Sequence, residues 1–422
     1  MESMPAMTIE RFRSLVGERT IYIYAVNLEG IGYLKRFLHY GFKVGGFIDS
    51  RSFPGNCRRG QPVTHPDAFF TGPRDDALVL ITAKHRQTRR LAIEQCERAG
   101  LRRHESLFVA SDLCDYYPTI EIAGKCNLRC ISCNMGLPGA NKKGGYMRAG
   151  TFARVLAKMQ TEIPFLNSLY LYLWGEPLLN PDLPEIVRIA SEAGVACEIS
   201  TNLNEAKNLE ALVAANPEII VVPCSGVGES FEMTRTGADW NKFHANLHAL
   251  RALIDEHGVE TTVRVHYHMY KHNLGAEYEE IEALSQKLGF QFLPILAQIF
   301  PEYVLRHVMY GEPIPAPMQR ANELLIYPIE DQLAYARRNT DKSCFMMKVF
   351  PVVRWDTSTV HCSNLTFPVL KSSYLDASLD ELLKIRSDND FCNQCIEHSM
   401  HRFFDVSASV QTVDGQRVVV RD

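Results

Sequence analysis

Long apolar segments are missing from this sequence, because no uninterrupted apolar run reaches the roughly 18 residues that a membrane-spanning helix needs. An excess of positive charge is also missing, since the net charge is −4, so nothing favours nucleic acids or anionic membranes electrostatically. Residues 1–20 carry several charges and lack the apolar core of a signal peptide. We therefore expect a cytoplasmic protein with neither a nucleic-acid nor a membrane partner.

The composition that is present is typical of a globular protein, with 46% hydrophobic and 22% charged residues over 422 positions. This length predicts about two or three domains. The chain also contains 12 cysteines. Because disulfide frameworks are rare in a reducing cytoplasm, metal or cluster ligation explains these cysteines better.

Strand-like and helix-like segments alternate along most of the chain, which predicts an α/β fold with parallel sheets. Residues 1–115 are predicted to form an N-terminal Rossmann-like βαβ domain, with strands at 20–26, 42–49 and 77–82 and helices at 29–40 and 85–100. Residues 116–300 are predicted to form a partial (β/α)6 TIM-like barrel. Its predicted strands are 119–123, 168–174, 196–201, 218–223, 261–270 and 291–296, and its predicted helices include 151–163, 183–193, 240–257 and 276–288.

The pattern changes after the barrel. Residues 301–405 are predicted to form a small C-terminal extension, with a hairpin built from strands 350–354 and 359–361 and a helix at 379–386. Residues 406–422 are interpreted as an exposed tail or edge strands.

Three cysteines, Cys126, Cys130 and Cys133, follow the first barrel strand in the run C-N-L-R-C-I-S-C. Thiolates bind iron–sulfur clusters, and three ligands leave one corner of a [4Fe–4S] cube open for a reactant. Loops after barrel strands lie at the face where such barrels carry active sites. The alternatives are a zinc site or three unrelated thiols, but zinc favours four ligands in a different spacing.

This C-x3-C-x2-C loop resembles the hallmark of the radical S-adenosylmethionine (SAM) superfamily, over residues 119–296 of the chain. The resemblance implies that SAM binds the open iron of the [4Fe–4S] cluster through its amino and carboxylate groups. It further implies that an electron from the reduced cluster cleaves SAM to a 5′-deoxyadenosyl radical, which abstracts hydrogen from a substrate. A flavodoxin- or ferredoxin-type protein is the expected reductant.

Polar residues after the later barrel strands are similar to the SAM-facing positions of that family. W-G-E-P resembles its G-G-E-P motif, with Trp174 in place of the first glycine, and a plain strand-ending turn is the alternative. The resemblance implies SAM contacts from Gly175, Glu176, Pro177, Ser200, Asn202, Ser225 and Arg235. Asn273 and Gln291 are weaker matches, and each small polar residue has helix capping as an alternative role.

A second group of cysteines, Cys344, Cys362, Cys392 and Cys395, lies beyond the barrel. Four thiolates make a closed site, for which a structural zinc ion and an iron–sulfur cluster are equal alternatives. The surrounding sequence resembles the SPASM extension or its shorter twitch form. That resemblance implies an auxiliary [4Fe–4S] cluster held by all four cysteines, with an electron-transfer or structural role.

The N-terminal domain has only a degraded dinucleotide-binding pattern. Asp49 stands where a ribose-binding acid is usual, but Ala25 and Asn27 replace expected glycines and leave only Gly30 and Gly32. The unit resembles Rossmann-like domains attached to nucleotide-sugar and surface-polysaccharide enzymes. Substrate recognition and plain scaffolding are both compatible with it.

These features predict a radical SAM enzyme that acts on a small molecule, namely a sugar, cyclitol or nucleotide sugar, by oxidation, epimerisation or dehydration. Cys224, Tyr172 and His268 are candidates to donate hydrogen or to take a proton, with core packing as the alternative for each. A peptide-modifying SPASM maturase is a second hypothesis, although the βαβ pattern differs from the winged-helix domain usual there. A cobalamin-dependent methyltransferase lacks support, since no D-x-H-x-x-G signature is present, and an iron–sulfur carrier or scaffold is the non-enzymatic alternative.

Overall fold

The N-terminal part of the chain is a six-stranded, mainly parallel sheet flanked by helices. The structure is a computed structural model that describes residues 7–51, 53–72, 76–139, 144–338, 340–366, 368–403, 408–413 and 416–421. The elements of this domain are α1 (Ile9–Val16), β1 (Thr20–Tyr24), α2 (Leu28–His39), β2 (Val44–Ile48), β3 (Cys57–Arg58), β4 (Gln61–Thr64), α3 (Pro66–Phe70), β5 (Ala77–Ile81), α4 (Arg86–Arg98) and β6 (Leu107–Val109). Their order in the sheet is β3-β4-β2-β1-β5-β6. The predicted α/β class is confirmed here, and β3, β4 and β6 are additions that the apolar pattern does not reveal.

The second unit is an open sheet of parallel strands in sequence order, β7 to β12. Its elements are β7 (Thr119–Ile120), α5 (Ala149–Glu162), β8 (Ser168–Tyr170), α6 (Leu183–Glu192), β9 (Ala196–Ser200), α7 (Leu209–Ala214), β10 (Ile219–Cys224), α8 (Glu229–Thr234), α9 (Trp240–His257), β11 (Thr262–Met269), α10 (Ala276–Lys287) and β12 (Gln291–Leu296). The sheet does not close on itself, so the predicted partial barrel is confirmed. The carboxyl ends of its strands share one edge, and this edge carries the candidate site.

The C-terminal part continues the barrel sheet. Its elements are α11 (Pro301–Tyr310), α12 (Ala316–Leu324), α13 (Ile329–Ala336), β13 (Val352–Val353), β14 (Thr359–Val360), β15 (Val369–Lys371), α14 (Leu379–Asp388), α15 (Phe391–Glu397), β16 (Ala408–Val413) and β17 (Gln416–Arg421). Strand β13 pairs in parallel with β7 and antiparallel with β14, so one sheet of nine strands runs from β12 to β15. The C-terminal segment forms edge strands, since β16 and β17 pair with each other, although residues 406–407, 414–415 and 422 lie outside the described part.

The N-terminal domain packs against the amino ends of the barrel strands. Helix α2 approaches so closely that a Cβ at Gly32 would overlap the backbone of Asn167. One hydrophobic core therefore includes residues of both units, such as Phe12 and Phe165, whose rings lie 5.3 Å apart. This packing leaves the carboxyl edge of the barrel free. Within the described residues, no helix is both long enough and apolar enough to cross a membrane.

Candidate functional site

The three closely spaced cysteines and the predicted SAM-facing residues line one pocket. This pocket of about 890 Å³ lies at the carboxyl ends of β8, β9, β10 and β11. The predicted residues on its wall are Cys126, Cys130, Cys133, Gly175, Glu176, Ser200, Asn202, Ser225 and Arg235. Segments more than a hundred positions apart in sequence are thus brought together, as the parallel strands place successive loops at one edge.

The cysteine loop is fixed by hydrogen bonds to the segment after α8. Arg129 N donates to Thr236 O at 2.8 Å, and Ile131 N donates to Thr234 O at 3.1 Å. The Cys126 sulfur accepts hydrogen bonds from Leu128 N at 3.4 Å and from Asn202 Nδ2 at 3.6 Å. Such N–H groups around a sulfur are the outer contacts that orient and tune a thiolate ligand.

Burial shapes the chemistry of these thiols. It raises the pKa of Cys126 to about 12, and it raises the pKa values of Cys130 and Cys133 as well. The bare thiols are therefore neutral at physiological pH, and a bound cationic metal centre is needed to favour their thiolate forms.

A single metal ion and an iron–sulfur cluster require different separations of their thiolate ligands. Among the described residues, no group of three or more His, Cys, Asp or Glu side chains is arranged to hold one metal ion. Zinc requires its sulfur ligands at about 2.3 Å, and hence close to one another. The three cysteines line one pocket, as the ligands of an iron–sulfur cube would.

The turn after β8 is held in place by Gly175 and Glu176. A Cβ at position 175 would overlap Ala123 O, so this position requires glycine. The buried Glu176 carboxylate accepts hydrogen bonds from Asn202 N and Thr201 Oγ1, both at 2.7 Å, and from Leu178 N at 3.0 Å. Its oxygens are engaged within the chain, so Glu176 positions the turn and leaves backbone groups to face a ligand.

Arg235 is a buried cation on the pocket wall. Its side chain is 8% exposed, and its Nε donates to Ser225 Oγ at 3.1 Å. Within the described part of the chain, it forms no ion pair with a carboxylate. Since a buried charge is costly unless it is compensated, Arg235 suits an anionic group of a ligand in this pocket.

Three further predicted positions do not reach the pocket. Pro177 begins a 3-10 turn and is absent from the pocket wall. Asn273 is fully buried and donates to Ser225 O and His268 O, so it links two loops of the chain. Gln291 is the first residue of β12 and lies at the opposite end of the strand, because its strand position fixes which edge it occupies. The weaker resemblance of Asn273 and Gln291 to SAM-facing positions was wrong in this respect.

Two of the three candidate hydrogen or proton donors line the pocket. Tyr172 donates its hydroxyl to Glu198 Oε1 at 2.7 Å, and burial raises its pKa well above the usual value. His268 also faces the pocket, and burial together with the charge of Arg235 lowers its pKa well below the usual value. Cys224 is fully buried away from the pocket, where its sulfur bonds to Gly226 O, so packing is its role. Tyr172 and His268 are therefore neutral groups on the pocket wall.

The second group of cysteines lines a separate pocket of about 520 Å³. Cys344, Cys362, Cys392 and Cys395 all belong to its wall, although they come from three segments, with Cys392 and Cys395 both on α15. Burial raises the pKa of Cys362 to about 11 and raises those of Cys392 and Cys395 too. Here also, within the described residues, the thiols do not converge on a single-ion site.

Two residues of this second pocket were not recognised in the sequence. His361 and Arg386 are both buried and both lie on the wall with the four cysteines. His361 directly precedes Cys362, which is a signal that sequence alone offers. Arg386 lies on α14, and its helical pattern gives no hint that it faces inward.

The remaining cysteines behave as small apolar residues. Cys96, Cys114 and Cys197 are buried in packed regions, and Cys57 is half-buried on β3. None of them lines either cysteine pocket.

The N-terminal glycines are explained by packing. A Cβ at Gly30 would overlap Ala25 O, and one at Gly32 would overlap Asn167 O. Asp49 accepts a hydrogen bond from Val26 N at 2.7 Å and pairs with Arg51 at 2.8 Å. Its carboxylate thus closes the loop after β1, which is the position a dinucleotide phosphate would need.

Comparisons with known proteins give partial similarities. No family model matches the chain. A 7,8-dihydro-6-hydroxymethylpterin dimethyltransferase of Methanocaldococcus jannaschii is 28% identical over 116 residues, which cover 26% of this chain and 22% of that protein. The chain therefore spans about a fifth of the length of this curated relative.

Solved structures are similar over larger shares. The enzyme anSMEcpe with bound AdoMet has 16% identity and a TM-score of 0.43, over 65% of this chain and 79% of that one. BtrN in complex with AdoMet and 2-DOIA has 15% identity and a TM-score of 0.37, over 68% and 87%. SuiB of Streptococcus suis bound to the precursor peptide SuiA has 14% identity and a TM-score of 0.45, over 73% and 70%. The strand order and the cysteine loop of the chain itself support the predicted radical SAM fold.

Proposed function

We propose that this chain is a radical SAM enzyme that uses a [4Fe–4S] cluster at Cys126, Cys130 and Cys133 and an auxiliary [4Fe–4S] cluster at the second cysteine group. When bound, the first cluster supplies the electron that cleaves SAM to a 5′-deoxyadenosyl radical. The radical then abstracts hydrogen from the substrate. The chain is expected to work in the cytoplasm with a flavodoxin- or ferredoxin-type reductant.

One observation carries this proposal: the three thiols share a pocket with six residues matched independently to SAM-facing positions. Four of these six residues make contacts that suit such a site. Asn202 donates toward the Cys126 sulfur, Gly175 and Glu176 fix the turn that faces the ligand, and Arg235 offers a buried positive charge for the SAM carboxylate. A plain structural zinc site would require none of them.

The architecture favours a small-molecule substrate, namely a sugar, cyclitol or nucleotide sugar. The pocket wall combines polar groups such as Tyr172, His268 and Ser225 with the apolar Trp174, which suits a hydroxylated compound. The N-terminal domain is a six-stranded, mainly parallel sheet, so it differs from a winged-helix peptide-docking domain. Oxidation of the substrate is the favoured reaction. With four cysteine ligands, the auxiliary cluster would have no open iron position for a substrate, and it is suited to accept an electron.

The decisive experiment compares cysteine variants after anaerobic reconstitution. The unaltered protein is expected to hold about eight iron ions per chain, and to form 5′-deoxyadenosine when reductant and SAM are added. Cys126→Ala should lose about half of the iron and all SAM cleavage. Cys57→Ala is the matched control and should retain both, because Cys57 lines neither cysteine pocket. Zinc in place of iron, or full SAM cleavage by Cys126→Ala, would overturn the proposal.

A second experiment addresses the substrate class. Deuterated nucleotide sugars, free sugars and cyclitols are incubated with the reconstituted enzyme, and deuterium is sought in 5′-deoxyadenosine by mass spectrometry. Transfer from a carbohydrate supports the proposed class. Transfer only from a peptide panel would instead support a peptide-modifying maturase.

A further inference from the structure

Arg386 is a cation buried beside the four cysteines of the second pocket. Its side chain is 2% exposed, and its Nη2 donates to Met346 O at 3.1 Å. The guanidinium also lies 4.8 Å from the centre of the Phe350 ring. Among the described residues, its Nε has no hydrogen-bond partner and it forms no ion pair with a carboxylate.

A buried guanidinium without a carboxylate indicates that an anion belongs nearby. Removing such an ion from water is costly unless its charge is compensated. Carbonyl oxygens and an aromatic ring offset only part of this cost. The groups on the same wall that become anionic are the four cysteines, once they bind iron as thiolates.

His361 makes a second contact with this cysteine group. It is completely buried, and its Nε2 lies 2.9 Å from the Cys392 sulfur. Its ring packs edge-on against Phe391 at 5.2 Å, which fixes its orientation. Among the described residues, its Nδ1 has no partner. A cluster-bound thiolate can only accept a hydrogen bond, so Nε2 would be the donor to the Cys392 sulfur in that state.

We propose that Arg386 and His361 raise the reduction potential of the auxiliary cluster and thereby make it an electron acceptor. This inference rests on the proposed function, because it assumes iron at the second cysteine group. A nearby positive charge favours the cluster state that carries one more electron. A hydrogen bond to a ligand sulfur acts in the same direction, since it withdraws charge from that sulfur.

The electron balance of the proposed step is simple. Abstraction of a hydrogen atom from a hydroxylated carbon leaves a substrate radical. That radical loses one electron to the oxidised auxiliary cluster and its hydroxyl proton to a basic group or water, and a carbonyl results. The auxiliary cluster gains that electron and is later reoxidised by transfer to an external acceptor of the flavodoxin or ferredoxin class. Arg386 and His361 are positioning residues in this step, since they act through the cluster.

The test measures a potential instead of a rate. In a background with Cys126, Cys130 and Cys133 all changed to Ala, only the auxiliary cluster remains. Its midpoint potential is determined by anaerobic redox titration, with electron paramagnetic resonance of the reduced cluster as readout. Arg386→Gln and His361→Phe are expected to shift the potential to lower values. Arg386→Lys retains the charge and His361→Gln retains a hydrogen-bond donor. The midpoint potentials of these two variants should therefore stay close to that of the background.

Lys384→Gln is the matched control, because it removes one positive charge from an exposed position of the same helix. Its potential should stay close to that of the background. The inference is overturned if Arg386→Gln shifts the potential no more than Lys384→Gln does. Loss of iron from both Arg386→Gln and Arg386→Lys would also overturn it, as the charge would then not be the relevant property.

The same background separates this inference from the proposed function. If the background protein with an unaltered second site contains zinc or no iron, the auxiliary cluster itself is refuted. If it contains iron but the potentials of the variants do not differ, only the roles of Arg386 and His361 are refuted.

Discussion

At the scale of single residues, the side chain of Glu176 in the W-G-E-P motif makes its contacts with the protein itself. Its carboxylate accepts three hydrogen bonds that join the turn after β8 to the end of β9. Burial raises its pKa to about 7. A residue that resemblance assigns to SAM is therefore first a support for the neighbouring backbone.

Glu176→Gln is expected to weaken SAM binding by about tenfold or more. The amide keeps one acceptor oxygen but turns an NH2 group toward backbone and hydroxyl donors, and a hydrogen bond to a charged group contributes about 1.5–3 kcal/mol. Equilibrium binding of SAM to the reconstituted protein measures the effect, and iron content should stay unchanged. Glu185→Gln is the control, because Glu185 is exposed and bonded only to Arg188 on α6. Equal SAM affinity in all three proteins would contradict this role.

Glu121 gives the protein a pH-dependent stability. Burial raises its pKa to about 7, in spite of the opposing charge of Arg354 at 3.4 Å. In the unfolded chain the same group titrates near 4.5, so between these two values the folded state holds a proton that the unfolded state has lost. The free energy of unfolding must therefore fall as pH rises from about 4.5 to 7.

Glu121→Gln should reduce the decrease in the free energy of unfolding between pH 4.5 and 7 by at most about 3 kcal/mol. Urea unfolding of both proteins at a series of pH values measures it, and groups common to both cancel in the difference. Parallel curves for the two proteins would show that Glu121 ionises alike in the folded and unfolded states.

At the scale of elements, the sequence predicts what depends on local pattern and misses what depends on distant partners. The strand predicted at 291–296 has those bounds in the structure, because its largely apolar run follows the clear helical pattern of α10. Strand β13 has only two residues, and its pairing with β7 depends on a segment more than two hundred positions away. Helices α11, α12 and α13 were not predicted, because their sequence lacks the regular strand and helix alternation of the barrel. The position of Arg386 on the wall of the second cysteine pocket became evident only from the fold.

The same reasoning explains the candidate site. Cys126, Cys130 and Cys133 could be recognised from spacing alone, since they lie in one loop. The strand-end positions of Ser200 and Ser225 could be recognised because parallel strands share an edge. The engagement of the Glu176 oxygens depends on three-dimensional contacts that no local pattern encodes. The position of Gln291 follows from its place at the start of β12, which the predicted strand bounds already contain.

The C-terminal hairpin is held against the cysteine loop by Trp355. Its indole fills the space beside Gly124 and Gly145, where any Cβ would overlap the ring. Gly124→Ala is therefore expected to destabilise the protein by roughly 1–3 kcal/mol through overpacking. Urea denaturation measures the change, and Gly150→Ala is the control, because nothing lies within 4 Å of a Cβ there.

A double variant makes this assignment specific. Trp355→Leu removes the ring that the new methyl group meets, so Gly124→Ala should cost much less in that background. Additive effects of the two substitutions would contradict the packing explanation.

At the scale of the whole molecule, a buried ion network joins the N-terminal domain to the barrel. Glu218 is 1% exposed, pairs with Lys35 of α2, and lies 3.8 Å from Arg59. It also accepts a hydrogen bond from Cys197 N at 2.7 Å. Glu218→Gln should lower the free energy of unfolding by up to about 3 kcal/mol, since it removes the buried carboxylate that pairs with Lys35.

This substitution should also uncouple the two units. All three tryptophans lie beyond residue 115, so their fluorescence reports on the barrel and the C-terminal part, whereas circular dichroism reports on the whole chain. In Glu218→Gln the two unfolding transitions should separate. Glu260→Gln, at a more exposed pair of the same interface, should cost about 1 kcal/mol or less and keep the transitions together.

The pairing of β13 with β7 has a consequence for the two cysteine pockets. Backbone hydrogen bonds tie the strand that leads to Cys126 to the hairpin that leads to Cys362. The two cysteine pockets therefore cannot move apart as rigid bodies unless those backbone hydrogen bonds break. The relative position of the two cysteine pockets is thus set by this strand pairing, and adaptation to a bound molecule falls to the loops and side chains that line them.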